Sequence, residues 1–407
     1  LMAFYRGDVI WKHRYADWLR HEVLVSAGYT ETRWQLGGAI STYESRAQID
    51  LRAEWDLRAT ERLRLRFGTD VQLISYKLDY FGGRPGQEEG QGGDEPEDAD
   101  EKVSLVHSGR RFLPALYLEG DWRPMDGLQI IAGLRADYLS GIESWTVDPR
   151  LTVIKVLPGK IRLKAGVGLF TQPPSLLESD KVFGNPKLSP IKAIHTGLGL
   201  ERGFGDVLTV GVEGFYKHLL DRPVATPNKT APYFVSNGKG RVYGLEFSAK
   251  ISKLGGFYGL LSYTLSRSER RDNESGWRLF DYDQTHILNV AAGYRFGKGW
   301  HLGMAFRLIS GNPITPAVGS VYDAAEDRYR PIFGAINSHR DAFYHRLDVR
   351  IEKTWRVWGG SIALYLDVQN AYNQQNAEGY EYNYDFSQRQ AVKGLPIIPS
   401  LGVRGTL

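Results

Sequence analysis

Arg328, Arg330 and Arg340 lie close together in one polar stretch, and Tyr380, Tyr382 and Tyr384 follow at two-residue spacing ahead of Phe386. Guanidinium forks pair with anionic oxygens and aromatic faces stack on flat or cationic groups, so these residues suit noncovalent capture of an anionic small molecule such as a metal chelate. Covalent chemistry finds no comparable set. The absence of Cys removes thiolate nucleophiles, disulfides and Cys-type zinc sites together. Nine His residues are present, among them His13, His21, His195, His286 and His345, yet none stands in a catalytic spacing. His21-Glu22 lacks the second His of a zinc-protease helix, and Gly197-Leu198-Gly199 with Glu201-Arg202-Gly203 is one residue off a dinucleotide fingerprint. No acid, base and nucleophile can be placed together, so the expectation is a binding protein that is not an enzyme, with no catalytic residue, metal or cofactor.

The elements that must position these groups are strands. From Ala47 to Leu57 every odd residue is apolar and every even one polar or charged, a two-residue period with two incompatible faces. The pattern repeats at 63–71, 161–169, 208–213, 347–352, 362–369 and 401–407. A soluble sandwich would turn its apolar faces inward, whereas a membrane barrel turns them outward to lipid. Loop lengths discriminate. Short connections near 16–18, 58–61, 124–127, 157–159, 203–205, 253–256, 297–299 and 358–360 alternate with long ones near 81–111, 171–190, 220–240, 268–285, 311–344 and 373–399. Short turns on one side and long loops on the other are the habit of outer-membrane barrels.

Composition agrees. Mean hydropathy is -0.35 and no long apolar run is present, which excludes transmembrane helices but not strands that meet lipid at every second residue. Aromatic residues make up 12% of the chain, suiting two interface girdles, and a net charge of +4 gives no sign of nucleic-acid binding. Ile49, Leu51 and Trp55 are therefore expected to face lipid. Asp50, Arg52, Glu54, Arg64, Arg66, Arg350 and Glu352 are expected to face the lumen, pairing across strands or docking a plug. The acidic segment 94–101 could bind calcium through clustered carboxylates, but it lacks spaced ligands, and like charges with little apolar content favour disorder.

The expected fold is all-β, a transmembrane antiparallel up-and-down barrel of about 17 strands over residues 1–407, with first and last strands running the same way. Single-chain barrels normally have an even count, so part of the wall is expected to lie upstream; the alternative is a complete 16-stranded porin-like barrel with one strand misread. The opening residues carry no basic segment, apolar run and cleavage site, so no signal peptide is read there.

Several segments resemble the TonB-dependent outer-membrane receptors. Gly184-Asn185-Pro186-Lys187-Leu188-Ser189-Pro190, after Phe170-Thr171-Gln172-Pro173-Pro174, is similar to that family's "NPxLxPE" loop, with Ile191 in place of Glu. Arg241 to Phe247 resembles its "xxGxE" strand and Asp367 to Asn373 its "NLFN" region. Tyr263-Thr264-Leu265-Ser266, Asp283-Gln284-Thr285-His286 and Pro399 to Arg404 also fit. Leu407 departs from the terminal aromatic residue of many outer-membrane strands, and residues 1–110 match in pattern alone. The resemblance implies the last 17 strands of about 22, with the plug and its TonB-contacting segment outside this chain. It further implies uptake of a scarce solute, such as a siderophore, cofactor or glycan, across the outer membrane, with lipid, lipopolysaccharide, TonB and a small-molecule ligand as partners and no nucleic acid. The alternative is a passive channel or structural barrel. In a barrel, the Tyr series also reads as a strand extension above the upper girdle, and the loop arginines as solvated or lipid-contacting groups.

Overall fold

The two-residue alternation folds into one antiparallel meander. The computed structural model describes residues 2–36, 40–82, 103–181, 184–226, 232–272 and 276–406. Twelve strands come first: β1 (Met2–Ala16), β2 (Leu19–Leu36), β3 (Ile40–Arg58), β4 (Leu63–Gly82), β5 (Val103–Met125), β6 (Leu128–Leu139), β7 (Ser144–Leu157), β8 (Ile161–Gln172), β9 (Ile191–Phe204), β10 (Leu208–Ala225), β11 (Phe234–Leu254) and β12 (Phe257–Arg271). The short β13 (Arg278–Leu279) precedes β14 (His286–Gly297) and β15 (Trp300–Ile309). Four small strands follow, β16 (Pro313–Ile314), β17 (Ala317–Asp323), β18 (Arg328–Phe333) and β19 (His339–Arg340). The chain closes with β20 (Tyr344–Val357), β21 (Gly360–Gln369), β22 (Ala377–Tyr382), β23 (Arg389–Lys393) and β24 (Ile398–Thr406).

The main sheet contains 18 strands, of which the two-residue β13 is an appendage of β12, leaving 17 long ones. Each long strand pairs antiparallel with the next, from β1–β2 to β21–β24. That matches the count read from loop parity. Among the described residues no ladder joins β1 to β24, so the sheet has two ends.

The tight side is built by turns that only certain residues allow. Lys298-Gly299 and Trp358-Gly359 have positive φ at both central positions, the mirror-image turn whose twist matches a two-residue hairpin. A Cβ on Gly299 would lie 2.1 Å from the Thr354 carbonyl oxygen, so glycine is required there on two grounds.

Register assigns the faces. Val25, Leu51 and Val71 stand opposite one another, as do Phe67, Leu118 and Leu134. These side chains are unusually open for their type, Leu118 and Leu134 each being 51% exposed and Leu116 65%. A continuous exposed apolar surface is a solvent-side liability unless lipid covers it. At the tight-turn end, Trp55 stacks on His21 and on Phe67, forming an aromatic belt with Trp11 and Tyr15.

The structure also corrects the loop boundaries. β10 and β11 run further than expected into 220–240, and the segments 311–344 and 373–399 hold three two-stranded sheets rather than irregular loops: β16·β19, β17·β18 and β22·β23. Tyr380 and Tyr382 thus belong to a separate hairpin, not to an extended wall strand. The cause is that β-alternation continues beyond the membrane, where loop parity counts only the wall. Segment 94–101 lies outside the described residues.

Candidate functional site

On the face opposite Leu51, charged residues form a ladder of ion pairs. Arg52 clasps Asp70 through Nε at 2.6 Å and Nη2 at 3.1 Å. Arg135 reaches the same carboxylate at 2.6 Å from two strands away while also holding Asp137. Ala115 lies in register between Asp70 and Asp137, and its small side chain lets the bridge pass over it. Elsewhere Tyr117 donates to Glu54 at 2.8 Å, Arg64 pairs with Asp56, and Arg66 pairs with Glu119 at 3.1 Å. Gln48 donates to Asp50 at 2.6 Å. Across the sheet, Arg350 joins Asp367 and Glu352, and Arg404 reaches Glu352 at 2.8 Å. Side chains from non-adjacent strands meet only on the concave side of a curved sheet, so this face is the inner one.

Near the loop side the character of β4 inverts. Arg64, Arg66, Asp70 and Gln72 point inward lower down, but Ile74, Tyr76, Leu78 and Tyr80 occupy the same face above, while Ser75 and Lys77 turn outward. The inner wall becomes apolar and aromatic just where the outer wall becomes polar. These residues line a cavity of about 700 Å³ roofed by the loop Pro173–Pro174–Ser175 and completed by Arg46 and Arg111.

The roof folds down because its own residues hold it. The Ser175 amide donates to Glu178 at 2.6 Å and the Glu178 amide donates back to the Ser175 hydroxyl at 3.2 Å, a reciprocal capping box. Arg111 donates to the Ser179 hydroxyl at 3.2 Å, and His107 Nδ1 lies 3.0 Å from the buried Asp180 carboxylate. The Arg111 guanidinium packs against Gly141, where a Cβ would sit 1.9 Å from Nη1. Within the lining, the Arg46 Nε is buried and meets no acceptor among the described residues. An unpaired buried donor beside aromatic walls is the arrangement that recognises a small anionic or carbonyl-bearing molecule.

The sequence candidates form a second cluster. Tyr322 and Tyr329 oppose each other on the β17·β18 hairpin, and Tyr384 meets Tyr329 edge-on with centroids 5.4 Å apart. The Tyr384 hydroxyl donates to the Asp327 carbonyl at 3.0 Å, and the Ser320 hydroxyl donates to the Asp385 carbonyl at 2.6 Å, so the two hairpins dock on each other. Tyr384 stays 66% exposed. Arg330 pairs with Asp323 at 2.7 Å and with Glu326 at 3.1 Å, and Arg328 pairs with Glu326. The Ala325 amide, with Arg330, holds the Asp323 carboxyl below the usual range. Tyr380 lies under the Arg389 guanidinium at 3.7 Å, and the Tyr382 hydroxyl accepts weakly from the Ala317 amide at 3.5 Å. Arg340 donates to the carbonyls of Asp283 and Gly311, to the Thr285 hydroxyl and to the Asp283 carboxylate, so both of its terminal nitrogens are engaged within the protein. Burial pushes the neighbouring Asp341 carboxyl above its ordinary range.

The family model for the β-barrel of TonB-dependent receptor-like proteins matches residues 4–371. The chain belongs to the TonB-dependent receptor family. It is an outer-membrane β-barrel protein, and its apolar face is the lipid face.

Similar solved structures include the FpvAI–pyocin S2 complex, at 13% identity and TM-score 0.72 over 98% of this chain and 56% of that one. The ferric-catecholate import receptor Fiu from K12 E. coli shares 13% identity with TM-score 0.69 over 99% and 64%, and the copper transporter OprC shares 16% with TM-score 0.69 over 98% and 65%. This chain therefore spans a little over half to about two thirds of the chains it matches. No curated protein matches it in sequence.

As a TonB-dependent receptor barrel, the chain uses its motif residues for construction. Asp283 is 1% exposed, accepts from the Ser268 amide at 2.5 Å and from the Thr285 hydroxyl at 3.1 Å, and takes Arg340 as its counter-ion. Asn370, at φ +50°, accepts from the Gln374 amide at 2.8 Å and donates to the Gln374 and Leu395 carbonyls. Asn185 donates to the Phe234 carbonyl at 2.9 Å, tying the receptor's roof loop to β11. Tyr76, Tyr80, Arg111, Tyr322 and Tyr329 were not among the sequence candidates. The inversion of β4 at Ile74 was the legible signal for the first two; the others depend on contacts between distant loops.

Proposed function

We propose that the whole protein takes up a scarce, mid-sized solute across the outer membrane with energy supplied through TonB, this chain forming most of the barrel wall and its outer mouth. Membership of the family over residues 4–371 is the observation that carries this reading. Among the described residues β1 and β24 each keep one unpaired edge, which supports a larger wall, because unpaired strand groups cannot face hydrocarbon and further strands would satisfy them. A plug region with a TonB-contacting segment completes the machine.

The inner cavity suggests the class of cargo: a molecule with an aromatic or apolar face for Tyr76 and Tyr80 and an anionic oxygen for Arg46 and Arg111, as in a siderophore or other metal chelate. Tyr384 with Tyr322 and Tyr329 forms an outer contact, oriented by the ion pairs of Arg328 and Arg330 and by the packing of Tyr380 and Tyr382; Arg340 holds the loops in place. Binding of radiolabelled ferric chelates to cells producing the full-length protein tests the assignment. Arg111→Ala is expected to weaken binding about tenfold to a hundredfold, the worth of one charge-assisted hydrogen bond. Surface levels should remain unchanged. Undiminished binding of every retained chelate would remove Arg111 and the cavity from the site.

A further inference from the structure

The lipid face carries a groove that opens away from the lumen. Four outward rows meet on β9 to β12, where Leu198, Gly214, Leu245 and Leu265 stand in register. Gly214 leaves a gap in that row, and the surrounding groove has a volume of about 1000 Å³ with an almost wholly apolar lining. One register step nearer the loops, Tyr216 and Tyr243 stack with centroids 6.4 Å apart. Arg267 continues that row in register with Tyr243, and Arg241 stands one step above it, so two outward guanidinium groups border the tyrosines.

Their geometry is specific. Both arginines are fixed through Nε by one carboxylate, Arg241 to Glu269 at 2.5 Å and Arg267 to Glu269 at 2.7 Å. Glu269 is buried, and Arg241 lies over the Trp277 ring at 4.3 Å. Among the described residues, the hydrogen bonds of both arginines to Glu269 run through Nε, and none engages their Nη atoms. Two positive groups and one negative leave a net positive pair of forks aimed outward. Their height fits an interface: eight residues separate Leu208, beside the tight turn, from Tyr216, which at about 3.4 Å per residue and a tilt near 40° is a climb of roughly 20 Å, close to the top of an apolar band of about 25 Å.

We propose that this surface seats one phosphorylated, multi-acylated lipid of the outer leaflet, with a phosphate on the Nη edges of Arg241 and Arg267 and an acyl chain lying in the groove over Gly214. Charge complementarity selects a phosphate, and the apolar floor beneath it selects a lipid over a free anion. Glu269 is a positioning residue, since it orients both forks without meeting the lipid. The inference rests on the outer-membrane placement and is independent of transport, because the groove faces away from the lumen.

Native mass spectrometry of the full-length protein, stripped of lipid and titrated with bisphosphorylated lipid A, tests it. Wild type should retain one lipid per molecule, and Arg241→Gln/Arg267→Gln should weaken retention at least about tenfold, since two charge-assisted contacts are lost. Dephosphorylated lipid A on the unaltered protein should show the same loss, so the test stands even where the double variant folds poorly. Gly214→Phe should displace the lipid while leaving the arginines in place. Equal retention of phosphorylated and dephosphorylated lipid would overturn the proposal, as would unimpaired retention by a folded double variant. Full competition by inorganic phosphate would also overturn it, showing an anion site without a lipid. Absence of energy-coupled solute uptake by the unaltered protein, with lipid retention intact, would count against the transport reading alone.

Discussion

Leu51→Arg is expected to destabilise the inserted barrel by about 2–4 kcal/mol, the cost of an arginine on the lipid face near mid-bilayer. Leu51 sits between Val25 and Val71 on neighbouring strands, four residues above Trp55 in the tight-side aromatic belt. Four residues of a tilted strand rise about 10 Å, which brings position 51 close to the bilayer midplane. Nothing anionic stands beside it on that face to compensate. On the opposite face, Gln72→Arg would set a guanidinium in register with Asp50 at the floor of the open inner cavity and should shift stability by no more than about 1 kcal/mol, the range for a solvated ion pair. Denaturant titration of the full-length protein in lipid vesicles, with heat-modifiable gel mobility as the fold check, reads both. Equal costs at positions 51 and 72 would mean that the two faces are wrongly assigned.

The second large effect lies above the membrane. Arg340→Ala leaves the Asp283 carboxylate buried without its cation, and breaking a buried pair from one side costs about 3–5 kcal/mol. The loss should stay near the loop end of the wall, because the pair joins the loop before β14 to the segment that carries β16–β19 and touches the wall through the Ser268 amide, close to the end of β12. Hydrogen exchange is therefore the fitting measurement. The amides of Ser268 and Asp341, bonded to Asp283 and to the Asn312 carbonyl, should lose protection while strands such as β3 keep theirs. Removing both charges in Arg340→Ala/Asp283→Ala should cost less than the sum of the single changes, since the uncompensated ion disappears. Additive effects would show that Arg340 supports the loops by some other contact.

How much of this was legible in the sequence depends on the range of the interaction. The wall was legible because a two-residue period is local: Ile49 and Leu51 declare one face and Asp50 and Arg52 the other without any partner being known. The 17-strand count followed from loop parity for the same reason. The inner cavity was half legible, since the inversion from Gln72 to Ile74, Tyr76 and Tyr80 stands in the chain itself. Its arginine was not, because Arg111 gains meaning only where Gly141 and Ser179 arrive from other loops. Arg328, Arg330 and Arg340 look alike in sequence, yet the first two pair with carboxylates of their own hairpin and the third spans between loops to Asp283. Composition cannot tell an arginine that awaits a ligand from one already matched by a carboxylate far along the chain.

Energy coupling is tested most directly by uptake of a labelled chelate by cells producing the full-length protein, with TonB present and with TonB deleted. Energy-coupled import predicts saturable uptake that falls to background without TonB, while binding of the chelate at the cell surface persists. Uptake that continues without TonB and rises linearly with external concentration would identify an open pore and contradict the reading.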